Sequence, residues 1–378
     1  MPKLFALLLL ALCGAVYAQM PGTPFAPPPS VAAKAYVLLD YTSNQNLAAQ
    51  NADDRIEPAS LTKLMTAYLT FAALRQKTLV PEATVTVSAR ALAAGGSRMF
   101  LEAQKPVTVA ELIRGMIVQS GNDACIALAE AVAGSEERFA QMMNREAKRL
   151  GMSNTSFMNS TGLPHPQHYT TARDLSILAA AIIRDFPEHY ALYAMKEYRY
   201  NGISQSNRNR LLWLDPTVDG MKTGYTESAG YCLIAAARRG PRRLISVVVG
   251  ASSESARATE SHKLLNYGFQ FYDTVRLYEA NTPVTTFRVW KGSINELKVG
   301  FPYAYYVSVP KGQADKLKAS VESRQPLMAP LKAGQAVGTL KLELDGKPFR
   351  QSPVVALENA DLAGIFGRGW DTIRLLFK

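Results

Sequence analysis

Ser60 and Lys63 stand three residues apart in the run Pro58-Ala-Ser-Leu-Thr-Lys-Leu-Met-Thr-Ala-Tyr-Leu69. On a helix that spacing makes the hydroxyl and the amine neighbours one turn apart. A serine hydroxyl becomes a useful nucleophile only when a base lies within hydrogen-bond reach, and an uncharged lysine amine can be that base. A place near a helix start adds the positive end of the helix dipole, which favours developing negative charge. Alone the spacing says little. Ser308-Val-Pro-Lys311 repeats it in a stretch that reads as strand, where period-two alternation sends the two side chains to opposite faces.

Ser120-Gly-Asn122 offers a second hydroxyl and an amide, and Lys222-Thr-Gly224 a second cation and hydroxyl. The glycine of that third group lets a backbone come close to a ligand. Each has a plain structural explanation when taken singly. Helix capping accounts for the first, which has a second copy of its pattern at Ser293-Ile-Asn295, and a turn with a solvated lysine accounts for the other.

The elements that must position these groups are legible. Proline suits a first helical turn, so a helix is expected from about Pro58, with Leu61, Leu64, Met65, Tyr68 and Leu69 at helical spacing. Thr108-Val-Ala-Glu111 reads as a capping box opening a helix striped by Leu112, Ile113, Met116 and Ile117. That helix runs into Ser120-Gly-Asn122, after which Asn122 or Asp123 would cap another helix, Ala124 to Val132. Past Gly224 lie two strand-like runs, Tyr231–Ala235 and Leu244–Val249.

The whole chain has 378 residues, 48% hydrophobic and 19% charged, which predicts two or three domains and excludes both wholesale disorder and a multi-span membrane protein. Residues 1–18 read as a cleaved secretory signal: Lys3, an apolar run from Leu4 to Leu12, and a Val16-x-Ala18 site. Leu12 is bulky where a lipidation signal at Cys13 would want a small residue. A Pro-rich lead fills 19–32, and 33–282 mixes helix and strand. From Pro283 to about 360 short strands take over: Thr339–Leu344 alternates strictly and Asp345-Gly346 supplies a hairpin turn. Residues 361–378 return to a helical period. Cys125 and Cys232 both sit in apolar runs and read as free buried thiols, although an exported chain would allow a bridge. The four histidines show no metal-ligand spacing, so no metal and no cofactor is expected.

Taken together and in this order, S-x-x-K, S-x-N and K-T-G resemble the motif set of penicillin-binding proteins and serine β-lactamases. Gly96-Ser-Arg-Met-Phe-Leu101, Ile113 to Cys125, Tyr169-Thr-Thr-Ala-Arg-Asp174 and Leu264 to Tyr272 narrow the resemblance to the low-molecular-mass D-alanyl-D-alanine carboxypeptidase type, over nearly all the mature chain. The resemblance implies an α+β transpeptidase fold, an antiparallel sheet flanked by helices, followed by a small all-β domain and a C-terminal amphipathic helix. It implies that Ser60 attacks the bond between two D-alanines at the end of a peptidoglycan stem peptide, through an acyl-enzyme that β-lactams also form. Lys63 would be the base, with burial and a like charge, that of Lys222, both lowering its pKa; Ser120 and Lys222 would relay a proton to the leaving amine. Asn122 would hold the substrate amide and Lys63, while backbone N–H groups of Ser60 and Tyr225 would form the oxyanion hole. Thr223 and Gly224 would line the substrate, and Arg257 or Arg208 would read its terminal carboxylate, since a guanidinium binds a carboxylate bidentately. Tyr225 departs from relatives that carry histidine there, and His168 is expected to hold a loop.

The resemblance leaves a serine β-lactamase and a D,D-endopeptidase as competing activities, and a catalytically silent wall-binding protein as a competing class. No equivalent of a deacylating glutamate stands out, and all three motifs are intact. On a helical wheel Leu362, Ile365, Phe366, Trp370, Ile373, Leu376 and Phe377 share one face, which suits lying in a membrane interface. The net charge of +11 fits that partner better than nucleic acid, because residues 283–378 hold 14 Lys+Arg against 8 Asp+Glu beside the helix. The expected location is the periplasm, on the outer face of the cytoplasmic membrane.

Overall fold

The computed structural model describes residues 27–323 and 325–375; the signal, the first part of the Pro-rich lead, and Leu376, Phe377 and Lys378 lie outside the described residues. A five-stranded antiparallel sheet organises the first body, in the order Gln45–Gln50, Ala35–Asp40, Arg242–Ala251, Gly230–Arg239, Val218–Thr226. Its central strands carry nearly unbroken apolar runs because both faces are covered. Val37, Leu39, Ile234, Ala236, Ile245 and Val247 face a core shared with the helices Lys63–Arg75, Asn122–Ala133 and Ala172–Asp185. Their neighbours Tyr36, Leu38, Leu233, Ala235, Leu244 and Val248 face the long helix Glu254–Phe271. Full burial of each Val, Leu or Ile contributes roughly 1.5–3 kcal/mol, so the sheet is a stiff platform for the groups at its edge.

The second body is all-β. Six strands order as Leu317–Ser323, Ala336–Leu344, Lys347–Ala356, Glu296–Gly300, Pro283–Trp290, Leu327–Met328. The expected hairpin is present: Leu344 pairs with Lys347, and Asp345 and Gly346 both take positive φ, which is what a type I′ turn needs. The chain enters this body at Tyr272, earlier than the Pro283 boundary read from the sequence. Strand Tyr272–Tyr278 follows directly from the long helix, pairs with Tyr305–Pro310, and packs Val275 and Leu277 on the second core. Alternation over seven residues was masked by the helix running straight into it.

A buried carboxylate joins the two bodies. Asp40, fully buried at the end of its strand, accepts from Arg242 Nε (2.8 Å), Thr274 Oγ1 (2.6 Å) and Ser308 Oγ (2.8 Å) with one oxygen. Its other oxygen accepts the N–H groups of Thr42 and Ser43. Five donors offset the cost of removing this charge from water. Gln45 adds a clamp, accepting Ser308 N–H at 2.7 Å and donating to Ser308 O at 3.3 Å.

The last helix is described over Ile365–Leu375 and starts at Ile365, later than the start near Asp361 that the helical period implies. Leu362 lies ahead of it in a bridge to Gly292. Asp371 faces inward and accepts Lys291 N–H, while Ile365, Phe366, Trp370 and Ile373 are all exposed, Phe366 at 95%.

Candidate active site

The backbone at Ser60 departs from the sequence reading. Ser60 lies on a 3-10 turn, Ala59–Thr62, and the α-helix begins at Lys63. A 3-10 turn eclipses residues i and i+3, so the pair meets even without an α-helix: Lys63 Nζ lies 2.8 Å from Ser60 Oγ. Ala59 interrupts the helix because its φ is +47°, an uncommon conformation for a side chain with Cβ. Two glycines permit it. A Cβ on Gly162 would fall 1.8 Å from Ala59 O, and one on Gly224 would press at 3.3 Å on Ala59 Cβ and Leu61 N.

Lys63 is fully buried, and its second contact is Thr161 O at 2.5 Å. Burial lowers its pKa to about 8. Lys222, also buried, is held well below the ordinary lysine value, first by burial and then by Lys63. Burial, one of the two expected causes, leads at both lysines, and the like charge of Lys63 comes second at Lys222. Lys222 Nζ donates to Thr223 O at 3.1 Å.

The capping box forms as read, with Thr108 and Glu111 bonded reciprocally. Its helix, Val109–Arg114, continues through a π-turn, Gly115–Gln119, and ends on Ser120 at φ +62°. The following helix starts at Asn122 with Gly121 as its N-cap, so neither Asn122 nor Asp123 caps it. Asp123 instead accepts the N–H groups of Met99 (2.9 Å) and Leu101 (3.2 Å), pinning this corner to the segment that precedes it. Asn122 does not hold Lys63: its Nδ2 donates to Gly95 O at 2.6 Å, and its N–H goes to Ser97 O. Ser120 Oγ and Asn122 Oδ1 are buried and unpartnered among the described residues, and both residues line the cleft. A buried polar atom left without any partner costs about 1–3 kcal/mol, so both atoms favour a partner that enters the cleft.

That cleft has a volume of about 470 Å³ and brings together Ser60, Ser120, Asn122, Thr223, Gly224, Tyr225, Arg208 and Arg257. Val218–Thr226 is the edge strand of the sheet, so one row of its backbone groups is open for an extended peptide to pair with. Tyr225 is half exposed and packs on its cross-strand partner Tyr231, ring centroids 4.4 Å apart. Arg257 is buried and braced by Gly224 O at 3.3 Å, Arg208 O at 3.5 Å and Glu254 at 3.3 Å. Arg208 is exposed, and among the described residues its guanidinium has no partner.

Thr161, Gly162 and Glu254 were not singled out in the sequence. The turn-forming run Asn159-Ser-Thr-Gly162 was a signal for the first two, and nothing marked Glu254, the single acid of the cleft lining. His168 is buried and held neutral, its pKa lowered to about 4 by burial, with Nε2 2.9 Å from Thr62 Oγ1. It supports the turn and stands apart from the chemistry. Cys125 and Cys232 are buried free thiols, and burial pushes Cys125 up to about 12. Among the described residues no cluster of His, Cys, Asp or Glu could hold a metal.

Residues 23–253 match the sequence family described as D-alanyl-D-alanine carboxypeptidase, and residues 272–361 match the C-terminal domain of penicillin-binding protein 5. The chain is 47% identical over 357 residues to the D-alanyl-D-alanine carboxypeptidase DacC of Escherichia coli, covering 92% of this chain and 89% of the relative. The fold is similar to penicillin-binding protein 5 from Haemophilus influenzae (TM-score 0.84, 41% identity, 89% of this chain and 99% of that one). It is also similar to penicillin-binding protein D2 from Listeria monocytogenes in its cefotaxime-bound form (TM-score 0.60, 31% identity, 65% of this chain and 100% of that one).

Proposed function

The chain belongs to the D-alanyl-D-alanine carboxypeptidase family, a family of serine peptidases, and on that premise we propose the following division of labour in releasing D-alanine from a D-Ala-D-Ala end. The observation that carries it is a buried lysine of lowered pKa 2.8 Å from a cleft serine, beside two orphaned polar atoms and a buried guanidinium.

Neutral Lys63 takes the proton of Ser60 Oγ as the oxygen attacks the carbonyl carbon of the penultimate D-alanine. The N–H groups of Ser60 and Tyr225 receive the developing oxyanion, a contribution of about 3–4 kcal/mol per donor in well-formed holes. The C–N bond breaks, and a proton passes to the departing amine through the Ser120 hydroxyl beside Lys222. Water then hydrolyses the ester. Asn122 Oδ1 accepts from the substrate amide, and Arg257 with Thr223 reads the carboxylate of the leaving D-alanine. A β-lactam fits the same scheme, with its ring amide in place of the peptide bond.

The remaining proposal is location. The exposed apolar face of Ile365–Leu375 points away from the inward Asp371, and no described helix is long and apolar enough to cross a bilayer. Such a helix lies in an interface. Together with the leader read from the sequence, this supports a periplasmic enzyme resting on the cytoplasmic membrane. Mass spectrometry of the products from a defined pentapeptide tests the activity. Loss of 1 D-alanine, blocked by penicillin and absent in Ser60→Ala, is the expected result; rapid β-lactam turnover without D-alanine release contradicts it.

A further inference from the structure

Two adjoining cavities at the junction of the bodies are larger in sum than the cleft and have no part in the chemistry above. One, of about 750 Å³, lies between the Tyr41–Asn44 turn, the end of helix Ala172–Asp185, the hairpin around Pro241, and Tyr303 and Tyr306 of the β body. The other, of about 430 Å³, shares Thr42, Asn44, Tyr303 and Tyr306 and extends along Arg350–Pro353. They form one trough spanning both bodies.

The lining has a consistent chemistry. Its charged side chains are Arg184, Arg238, Arg243 and Arg350, with no Asp or Glu. Arg184 and Arg243 are already paired from outside the lining, with Asp185 and Asp219. Arg238 bonds to Gly240 O, and Arg350 bonds to Ser43 O and lies over the Tyr305 ring; among the described residues neither pairs with a carboxylate, so both keep uncompensated positive charge. Tyr303 is 62% exposed, a large aromatic face offered to solvent, with Tyr306 partly exposed beside it. Isolated exposed aromatics are ordinary; aromatics beside guanidinium groups that lack a carboxylate partner, in a concave trough, match a ligand with rings that present an apolar face and with carboxylates. The trough is preformed, because Asp40 and Gln45 lock its two walls together.

Its place fits a polymer. Strand Gly230–Arg239 runs from Tyr231 in the cleft to Arg238 in the trough, seven residues or about 23 Å at ~3.3 Å per residue. The peptide end that reaches Ser60 hangs from a polysaccharide, so a site this far away would hold the strand and not the reacting peptide. We propose that the trough binds a neighbouring stretch of the cell-wall polymer, the C–H faces of its sugar rings against Tyr303 and Tyr306 and the carboxylates of its neighbouring, non-reacting stem peptides on Arg238 and Arg350. This rests on the substrate class proposed above.

The test uses the full chain and a Tyr303→Ala/Arg238→Glu variant, both acylated with benzylpenicillin so that the cleft is occupied, in co-sedimentation with purified cell-wall polymer. Wild type should sediment, and the variant should need roughly tenfold more polymer. Unblocked, the variant should show a several-fold higher KM on polymeric substrate and wild-type kinetics on a free pentapeptide, which also establishes that it is folded. Failure of the blocked wild type to sediment overturns the proposal, as does equal sedimentation of the variant or an equal change on both substrates. If the free pentapeptide is not cleaved at all, the catalytic reading fails, while sedimentation still decides the trough.

Discussion

The acylation rate of Ser60 should follow the deprotonation of Lys63. An unperturbed lysine at 10.5 would cost ~4.8 kcal/mol to be neutral at pH 7, whereas a group at about 8 costs ~1.4 kcal/mol. Burial therefore raises the reactive fraction roughly 300-fold at that pH. The sign is fixed by the role: the base works uncharged, so the rate rises with pH. The neutral fraction is about 1% at pH 6, 9% at pH 7, half at pH 8 and 91% at pH 9. The second-order rate of labelling by a fluorescent penicillin, measured at short times, should climb about tenfold from pH 6 to 7, about fivefold from 7 to 8, and less than twofold beyond. The limb belongs to the coupled Lys63–Lys222 pair, so its midpoint is a property of both. Lys63→Arg keeps the charge but cannot deprotonate, and should lose at least ~100-fold at every pH. A flat profile from pH 6 to 9, or a midpoint near 10, would refute a buried lysine as the base.

Four further outcomes are expected. Gly162→Ala places a methyl against Ala59 O, and should destabilise by about 3–5 kcal/mol in urea unfolding while slowing penicillin labelling of any folded fraction. Arg257→Gln should raise KM ten- to hundredfold for a peptide with a free C-terminus, from about 1.5–3 kcal/mol of charge-assisted bonding, and far less for its C-terminal amide. Asp40→Ala strands Arg242, Thr274 and Ser308, and should cost about 3–5 kcal/mol and split calorimetric unfolding into two transitions. Phe366→Glu with Trp370→Glu removes two exposed aromatics, each contributing ~2–3 kcal/mol on burial, and should abolish flotation with anionic vesicles while leaving penicillin labelling intact.

Local chemistry was legible wherever it depends on neighbours in the chain. The capping box at Thr108, the Asp345-Gly346 hairpin, the strand character of Ser308 and the amphipathic last helix follow from spacing and propensity, which act over a few residues. The motif order also carried the family, because S-x-x-K, S-x-N and K-T-G in sequence are rare together. Geometry within each motif was less accessible. Spacing places Ser60 on an α-helix, but the left-handed Ala59 that prevents this exists only because Gly162 and Gly224, far along the chain, leave room for it.

By itself, then, the sequence determined which residues have the chemistry, roughly which elements carry them, and which family they resemble. Tertiary structure alone decided that Thr161 O receives Lys63, that Asn122 turns to Gly95, and that Arg257 is buried in the cleft while Arg208 is exposed at its wall. It also decided how Asp40 and Ser308, 268 residues apart, lock the two bodies around a trough. Burial, pKa and hydrogen-bond partners belong to pairs of groups brought together from distant segments, and spacing along one chain does not encode such distances.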